Sequence, residues 1–200
     1  VEVWGLTLVK GFYIKYNFIL ADNVKYSSYT YQKLFRAIYG YTQNVTKANG
    51  KTYRYHRKGV LSDVPYIKTG KNSVIIPPKA LNSLDNFFKT GKNPAHYWQA
   101  KGNWKATFYM DEKELGESQV VAAIKSHISR AFQTMSGDVF VPDITVLAGK
   151  AKAGEVVPEE HIKISLEEAE KIISNPWFKD VYSKDPDLKK FFENYKFFKP

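Results

Sequence analysis

The chain of 200 residues has no cysteine and two methionines. No disulfide framework, thiolate zinc site or cysteine nucleophile can be built from it. It also lacks the roughly 20 predominantly apolar residues that a spanning helix needs. The apolar stretch over residues 1–20 is broken by Glu2, Lys10, Lys15 and Asn17 and alternates as strands do. No signal segment is visible, so the expected location is the cytoplasm, and the opening at Val1 rather than Met points to a processed N-terminus. Catalytic motifs are missing too. The nearest approach to a phosphate loop, Lys68-Thr-Gly-Lys-Asn, has the wrong spacing, and there is no Gly-x-Ser-x-Gly elbow. Four histidines, His56, His96, His127 and His161, are too scattered for a metal site, and no cofactor is expected.

Acid is scarce in one part of the chain. Residues 1–110 hold 17 Lys plus Arg against four acids, a net of +13, whereas residues 111–200 hold 13 basic and 16 acidic residues, a net of −3. Twelve of the 14 tyrosines also lie in the first part. An ordinary surface intersperses both signs, so this asymmetry points to a polyanionic partner, nucleic acid first, as DNA or RNA. A membrane surface ranks lower, because no basic amphipathic helix with a wide apolar face is present. An aromatic content of 16% disfavours disorder. The expected organisation is a basic, tyrosine-rich α+β part over 1–110 and a mildly acidic, mostly helical part over 111–200, the second free to pack on the first as one domain. The acidic helices are the place for a protein partner.

The fold class expected is α+β, an antiparallel sheet built from hairpins with packed helices, followed by a helical C-terminal part. Strands are expected at Val1–Val9 and Phe12–Leu20, joined by a turn at Lys10-Gly11. A helix over Tyr29–Tyr39 is capped by Ser28 and stopped at Gly40. Its buried stripe is Tyr31, Leu34, Phe35 and Ile38, which leaves Lys33 and Arg36 facing solvent. Asn49-Gly50 between Tyr41–Lys47 and Lys51–Lys58 is a strong hairpin signal. A strand at Ser73–Pro77 leads to a helix near Lys79–Lys89 that stops at Gly91. A third hairpin joins His96–Ala100 to Trp104–Met110, with Trp98 and Trp104 inside. Beyond it the pattern predicts a helix over Ser118–Met135, a strand over Val139–Leu147 and a mobile segment at Ala148–Gly154. A capping box at Ser165 and Glu168 opens a helix over Ser165–Ser174, and shorter helices restart at Pro176 and at Pro186, the latter capped by Asp185.

The densest chemistry is Lys51-Thr-Tyr-Arg-Tyr-His-Arg-Lys58. As a strand it sets Arg54, His56 and Lys58 on one face and Lys51, Tyr53, Tyr55 and Arg57 on the other. Cations neutralise phosphates and release counterions, and tyrosine rings stack on unpaired bases. The candidate nucleic-acid contacts are Lys33, Arg36, Lys47, Lys51, Arg54, His56, Arg57 and Lys58, with Tyr97, Lys101 and Lys105 from the third hairpin. Two catalytic readings stand beside this one. Asp111-Glu-Lys113 after a strand has the acid-x-Lys form of metal-dependent nucleases, with Asp63 or Asp85 as the second acid; Asp at that place also suits a helix cap. His127-Ile-Ser-Arg130 resembles the His-x-x-Arg element of the tyrosine recombinases, with Lys105 and Tyr182 or Tyr195 to complete it, although that family's other landmarks are missing. A last alternative is a structural protein of a particle or filament, packed through its tyrosine-rich hairpins.

Overall fold

Strict alternation makes the central strand. In β1 (Val9–Leu20), Ile14, Tyr16 and Phe18 are buried while Lys15 and Asn17 between them are exposed, because successive side chains of a strand point to opposite faces. The computed structural model describes residues 8–92, 104–136 and 138–199. After β1 come α1 (Tyr29–Tyr39), β2 (Tyr41–Thr46), β3 (Thr52–Arg57), β4 (Ile67–Gly70), β5 (Ser73–Ile76), α2 (Leu81–Thr90) and β6 (Trp104–Leu115). Then follow α3 (Glu117–Ala131), β7 (Thr134–Ser136), β8 (Val139–Val141), α4 (Ile144–Lys152), α5 (Glu159–Ile173), α6 (Pro176–Val181) and α7 (Pro186–Phe198). The α+β class with a helical C-terminal part is as the sequence pattern predicts.

Two four-stranded sheets form, in the orders β4-β5-β1-β6 and β2-β3-β7-β8. The first is antiparallel throughout, and β6 accompanies β1 along its whole length, with Val9 opposite Leu115 and Leu20 opposite Trp104. In the second, β3 and β7 run parallel, with Tyr55 beside Met135. β1 serves two cores. Its even-numbered face, with Val74 and Ile76 of β5, packs on Leu34 and Ile38 of α1 and on Leu84 and Phe87 of α2. Aromatic rings meet edge-on there, Phe18 with Phe35 at 5.8 Å and with Trp104 at 5.4 Å, the geometry their quadrupoles favour. The other face, at the start of the strand, joins Val9, Ile75 and Leu115 to Ile124, Ile144, Ile172, Trp177 and Phe178 of the helical part.

Several expectations change, each for a physical reason. Lys10-Gly11 is no turn. β1 passes straight through it, and the glycine serves close approach, since a Cβ there would stand 3.0 Å from each of Ile75, Leu115 and Trp177. The Trp177 indole donates a 2.8 Å hydrogen bond to the Lys10 carbonyl at the same place. Most of the Val1–Val9 strand, and Tyr97, Trp98 and Lys101 with the remainder of the third hairpin's first strand and turn, lie outside the described residues. β6 runs on to Leu115, so Asp111 sits in mid-strand opposite Tyr13 and caps no helix. The compositional boundary at residue 110 therefore falls within a strand.

α3 ends at Ala131 rather than Met135, because Phe132 is extended and Gln133 takes a φ of 57°. The strand expected over Val139–Leu147 stops at Val141. Asp143 then caps α4 by accepting from the Thr145 amide at 2.7 Å, and Ile144, Leu147 and Ala148 form its buried stripe. Ala148–Gly154, expected as a mobile segment, supplies the second half of that helix and its end. Ser165 caps nothing. It lies inside α5, fully buried, where its hydroxyl donates to the Pro142 carbonyl at 2.7 Å.

Trp177 is 1% exposed and touches both the strand and the helical core. Trp177→Ala should therefore cost about 3–5 kcal/mol, the usual range for deleting a large buried aromatic. Trp177→Phe, which keeps most of the volume and loses the bond to Lys10, should cost about 1–3 kcal/mol. Urea unfolding of the two variants checks this, and a loss for Trp177→Ala no greater than that for Trp177→Phe would contradict it.

Candidate nucleic-acid interface

α1 buries Tyr31, Leu34, Ala37 and Ile38, and Ser28 caps it by accepting from the Tyr31 amide. That packing leaves Tyr29, Lys33 and Arg36, at i, i+4 and i+7, as one stripe on the outer surface. The helix ends at Gly40, φ 69°, and the chain turns directly into β2. Gly40 and Gly59 are pressed together. A Cβ on Gly40 would lie 2.5 Å from the Arg57 carbonyl, and one on Gly59 would strike the Gly40 amide. The Val60 and Leu61 amides donate to the carbonyls of Ala37 and Ile38 at 2.8 Å each. The end of the hairpin is thereby bolted to the end of the helix.

Hairpin β2–β3 turns at Asn49-Gly50, where Gly50 has φ 73° and the Asn49 side chain accepts from the Lys51 amide at 3.0 Å. Its register sets Tyr41 opposite Arg57, Gln43 opposite Tyr55 and Val45 opposite Tyr53, so these six share one face. Cations lie over the rings of that face. The Arg57 guanidinium is 5.3 Å from the Tyr55 ring, and Lys47 is 4.8 Å from Tyr53 and 6.0 Å from Tyr55. At the helix, Arg36 stands between two rings, 4.8 Å from Tyr41 and 5.6 Å from Tyr29, and Lys33 lies 4.7 Å from Tyr29. Within about 6 Å a cation over a tyrosine ring is attracted by its quadrupole. These contacts make one strip of two groups, Lys33, Tyr29, Arg36 and Tyr41 at the helix and Arg57, Tyr55, Lys47 and Tyr53 on the hairpin, which meet where Tyr41 stands opposite Arg57. Contact with Tyr55 raises the Lys47 pKa, and Asp138 is an acid whose field reaches it. Tyr29 is 59% and Tyr55 only 7% exposed.

The structure brings Lys33, Arg36, Lys47 and Arg57 together on this strip. Lys51 is exposed at the turn and Arg54 on the reverse face, opposite Asn44. Lys105 is exposed on β6 opposite Ile19, in the other sheet, and Tyr97 and Lys101 lie outside the described residues. The sequence reading does not single out Tyr29 and Tyr41. The spacing 29, 33, 36 marks the first, while the second becomes visible only once Gly40 sets it beside Arg36.

His56 and Lys58 point the other way, into the junction with the helical part. His56 Nδ1 meets Thr42 Oγ1 at 3.1 Å and its Nε2 meets Ser62 Oγ at 3.2 Å. Lys58 pairs with Asp63 at 2.8 Å and with Glu168 at 3.9 Å. A cleft lined by His56, Lys58, Ser62, Arg130 and Glu168 separates hairpin from helices. Beside it His127 is 1% exposed, and neither of its ring nitrogens has a hydrogen-bond partner, although the Ser62 backbone is close enough to favour the charged form slightly. Arg130 covers the Tyr66 ring at 4.4 Å. The recombinase-like element is therefore a packing feature, with its histidine sealed in the core; Tyr182 stacks on Phe178, and Tyr195 lies against Phe192. The nuclease-like acids are each tied to a lysine, Asp111 to Lys113, Asp85 to Lys89 and Asp63 to Lys58. Among the described residues no three histidines or acids gather as a metal-holding group, and no helix is long and apolar enough to cross a membrane.

Compared with protein-family models, curated proteins and solved structures, the chain finds no match.

The junction makes the fold sensitive to acid. Burial first, then the field of Arg130, pushes His56 down to about 4 and His127 to about 3. Unfolded histidines protonate near 6.5. Between that pH and the folded values the unfolded chain binds more protons, so stability falls as pH falls, by up to roughly 1.4 kcal/mol per unit for each histidine. The Asp63 carboxylate, opposed by burial but held down by Lys58, loses its contribution lower in the same direction. Thermal melts between pH 7 and 4 should show this decline, and His127→Leu should flatten it. An identical slope in the variant would place the sensitivity elsewhere.

Proposed function

We propose that this chain is a nucleic-acid-binding protein without catalytic activity of its own, working in the cytoplasm through the strip on α1 and β2–β3. The observation that carries the reading is the gathering of cations and tyrosine rings on one strip, which supplies charge for phosphates and flat apolar surface for sugars and bases in one place. The +13 balance of residues 1–110 adds a long-range field that steers a polyanion toward it. The helical end is a separate contact for a protein partner with a basic segment, since Glu159, Glu160 and Glu167 outnumber Lys163 on the surface of α5 there, where Glu170 is paired with Lys199. No feature of the geometry favours the nuclease or filament readings.

Polarisation with labelled DNA and RNA oligonucleotides tests the reading. If about five to eight phosphates are neutralised, log K should fall with log salt at roughly 0.7–0.9 per contact. Replacing Lys33, Lys47 and Arg57 together by Ala should lower the slope by about two to three contacts and weaken binding at least about tenfold at moderate salt. The melting temperature should stay within a few degrees, because exposed charges contribute little to stability. Lys58 is left out of the set because its charge is committed to Asp63 and Glu168. Affinity independent of salt, or unchanged in the triple variant, would refute the proposal.

A further inference from the structure

We infer that the strip selects unpaired strands, DNA or RNA, over duplexes; this deepens the nucleic-acid reading above and rests on it. A duplex hides its base faces inside its own stack and offers a protein only phosphates and groove edges. A surface made to read those edges needs an element that stands out from its surroundings, since a helix or a two-stranded β-ribbon must enter the major groove. Hairpin β2–β3 is no free ribbon, because β7 flanks β3 in a four-stranded sheet. α1 does not stand out. Contact between Gly40 and Gly59 holds its end flush with the hairpin, and Arg36 reaches the Tyr41 ring at 4.8 Å without a step between them. The result is a low surface on which the cations lie over rings instead of projecting as isolated charges.

Such a surface suits unstacked bases, which have a free face on either side and lie well on tyrosine rings and on guanidinium planes. Tyr29, at 59% exposure, and the half-buried Tyr41 and Tyr53 are the platforms. Arg36, between the first two of these, is a third flat group that a base can stack on. Tyr55 is buried and acts differently, as a buttress that fixes Arg57 and Lys47. Neighbours on one face of the hairpin are about 5 Å apart across the strands and about 7 Å apart along them. Tyr41 and Tyr53 are offset by four residues in the register, about 13 Å along the hairpin, so they meet bases that are not adjacent on a strand drawn out along it. The readout is of base faces, not edges, so it tolerates sequence.

The test compares one labelled strand of about 15 nucleotides, as DNA and as RNA, with its blunt duplex at about 150 mM salt, a length near the upper site size of a single stacking fold. The expected result is single-strand binding at least about tenfold tighter than duplex binding. Tyr41→Ala and Tyr53→Ala should each weaken single-strand binding roughly 5- to 100-fold with the salt slope and the duplex affinity unchanged, and the Phe variants should restore most of it. Tyr29→Ala removes an exposed ring that supports no core and should show the same selective loss in a fully folded protein. Preference for RNA over DNA, or the reverse, would identify the physiological strand within the inference. Equal or tighter duplex binding, or equal losses on both substrates in the tyrosine variants, overturns the single-strand inference and leaves the nucleic-acid reading standing. Absence of binding to either form overturns both.

Discussion

The structure hangs on the seat of one indole. Trp177 comes from the helical end of the chain, yet it rests on Gly11 of the central strand and bonds the Lys10 carbonyl at 2.8 Å. β1 is therefore shared property. Its even face carries the α1/α2 core, and the start of its odd face carries the helices. Removing the indole would open a void where Phe178, Leu115 and Ile75 also meet, and packed interiors close such voids only partly. Because β1 also holds β5 and β6 in register, its position governs where α1 lies, and so where the strip begins.

A second joint is polar. Where the hairpin meets the helices, His56, His127 and Arg130 crowd against Lys58, Asp63 and Glu168. A buried histidine without a partner is costly to charge, so this joint is firm when its histidines are neutral and weakened in acid. The same contacts give the hairpin two different faces. One is exposed along most of its length and meets the junction at His56, with Lys58 just beyond; the other is half-buried at Tyr41, Tyr53 and Arg57 and buried at Tyr55. A run of residues that reads as one basic patch in sequence is divided between the junction and the strip by the alternation of a single strand.

The helical part is tied to the surface strip through this division. β7 and β8 extend the sheet of β2 and β3, and Tyr55 sits beside Met135 of β7. Burying Tyr55 gives Arg57 and Lys47 a fixed ring to lie over, which restricts the freedom of two long side chains. Preorganisation of that kind is what the mostly helical end contributes to a surface it does not itself form.

Local signals alone determined much of this. The Ser28 cap, the Gly40 and Gly91 stops, the Asn49-Gly50 hairpin and the Asp185 cap all depend on a few neighbouring residues, and those residues carry their own backbone preferences. The charge imbalance and the outward Lys33 and Arg36 were legible for the same reason, being properties of composition and of helical period. Only tertiary structure decided the rest. Gly11 reads as a turn until Trp177, 166 positions away, shows that the missing Cβ makes room for an indole. Val139–Leu147 reads as a strand because β-branched residues suit both forms, and a Pro142–Asp143 cap with a core under Ile144 and Leu147 selected the helix. Ser165 reads as a cap until Pro142 takes its hydroxyl. The assignment of His56 and Lys58 to the junction, and of Tyr29 and Tyr41 to the strip, depends on which surfaces meet. Contacts between residues far apart in the chain are selected by the packing of the whole core, and no local pattern encodes them.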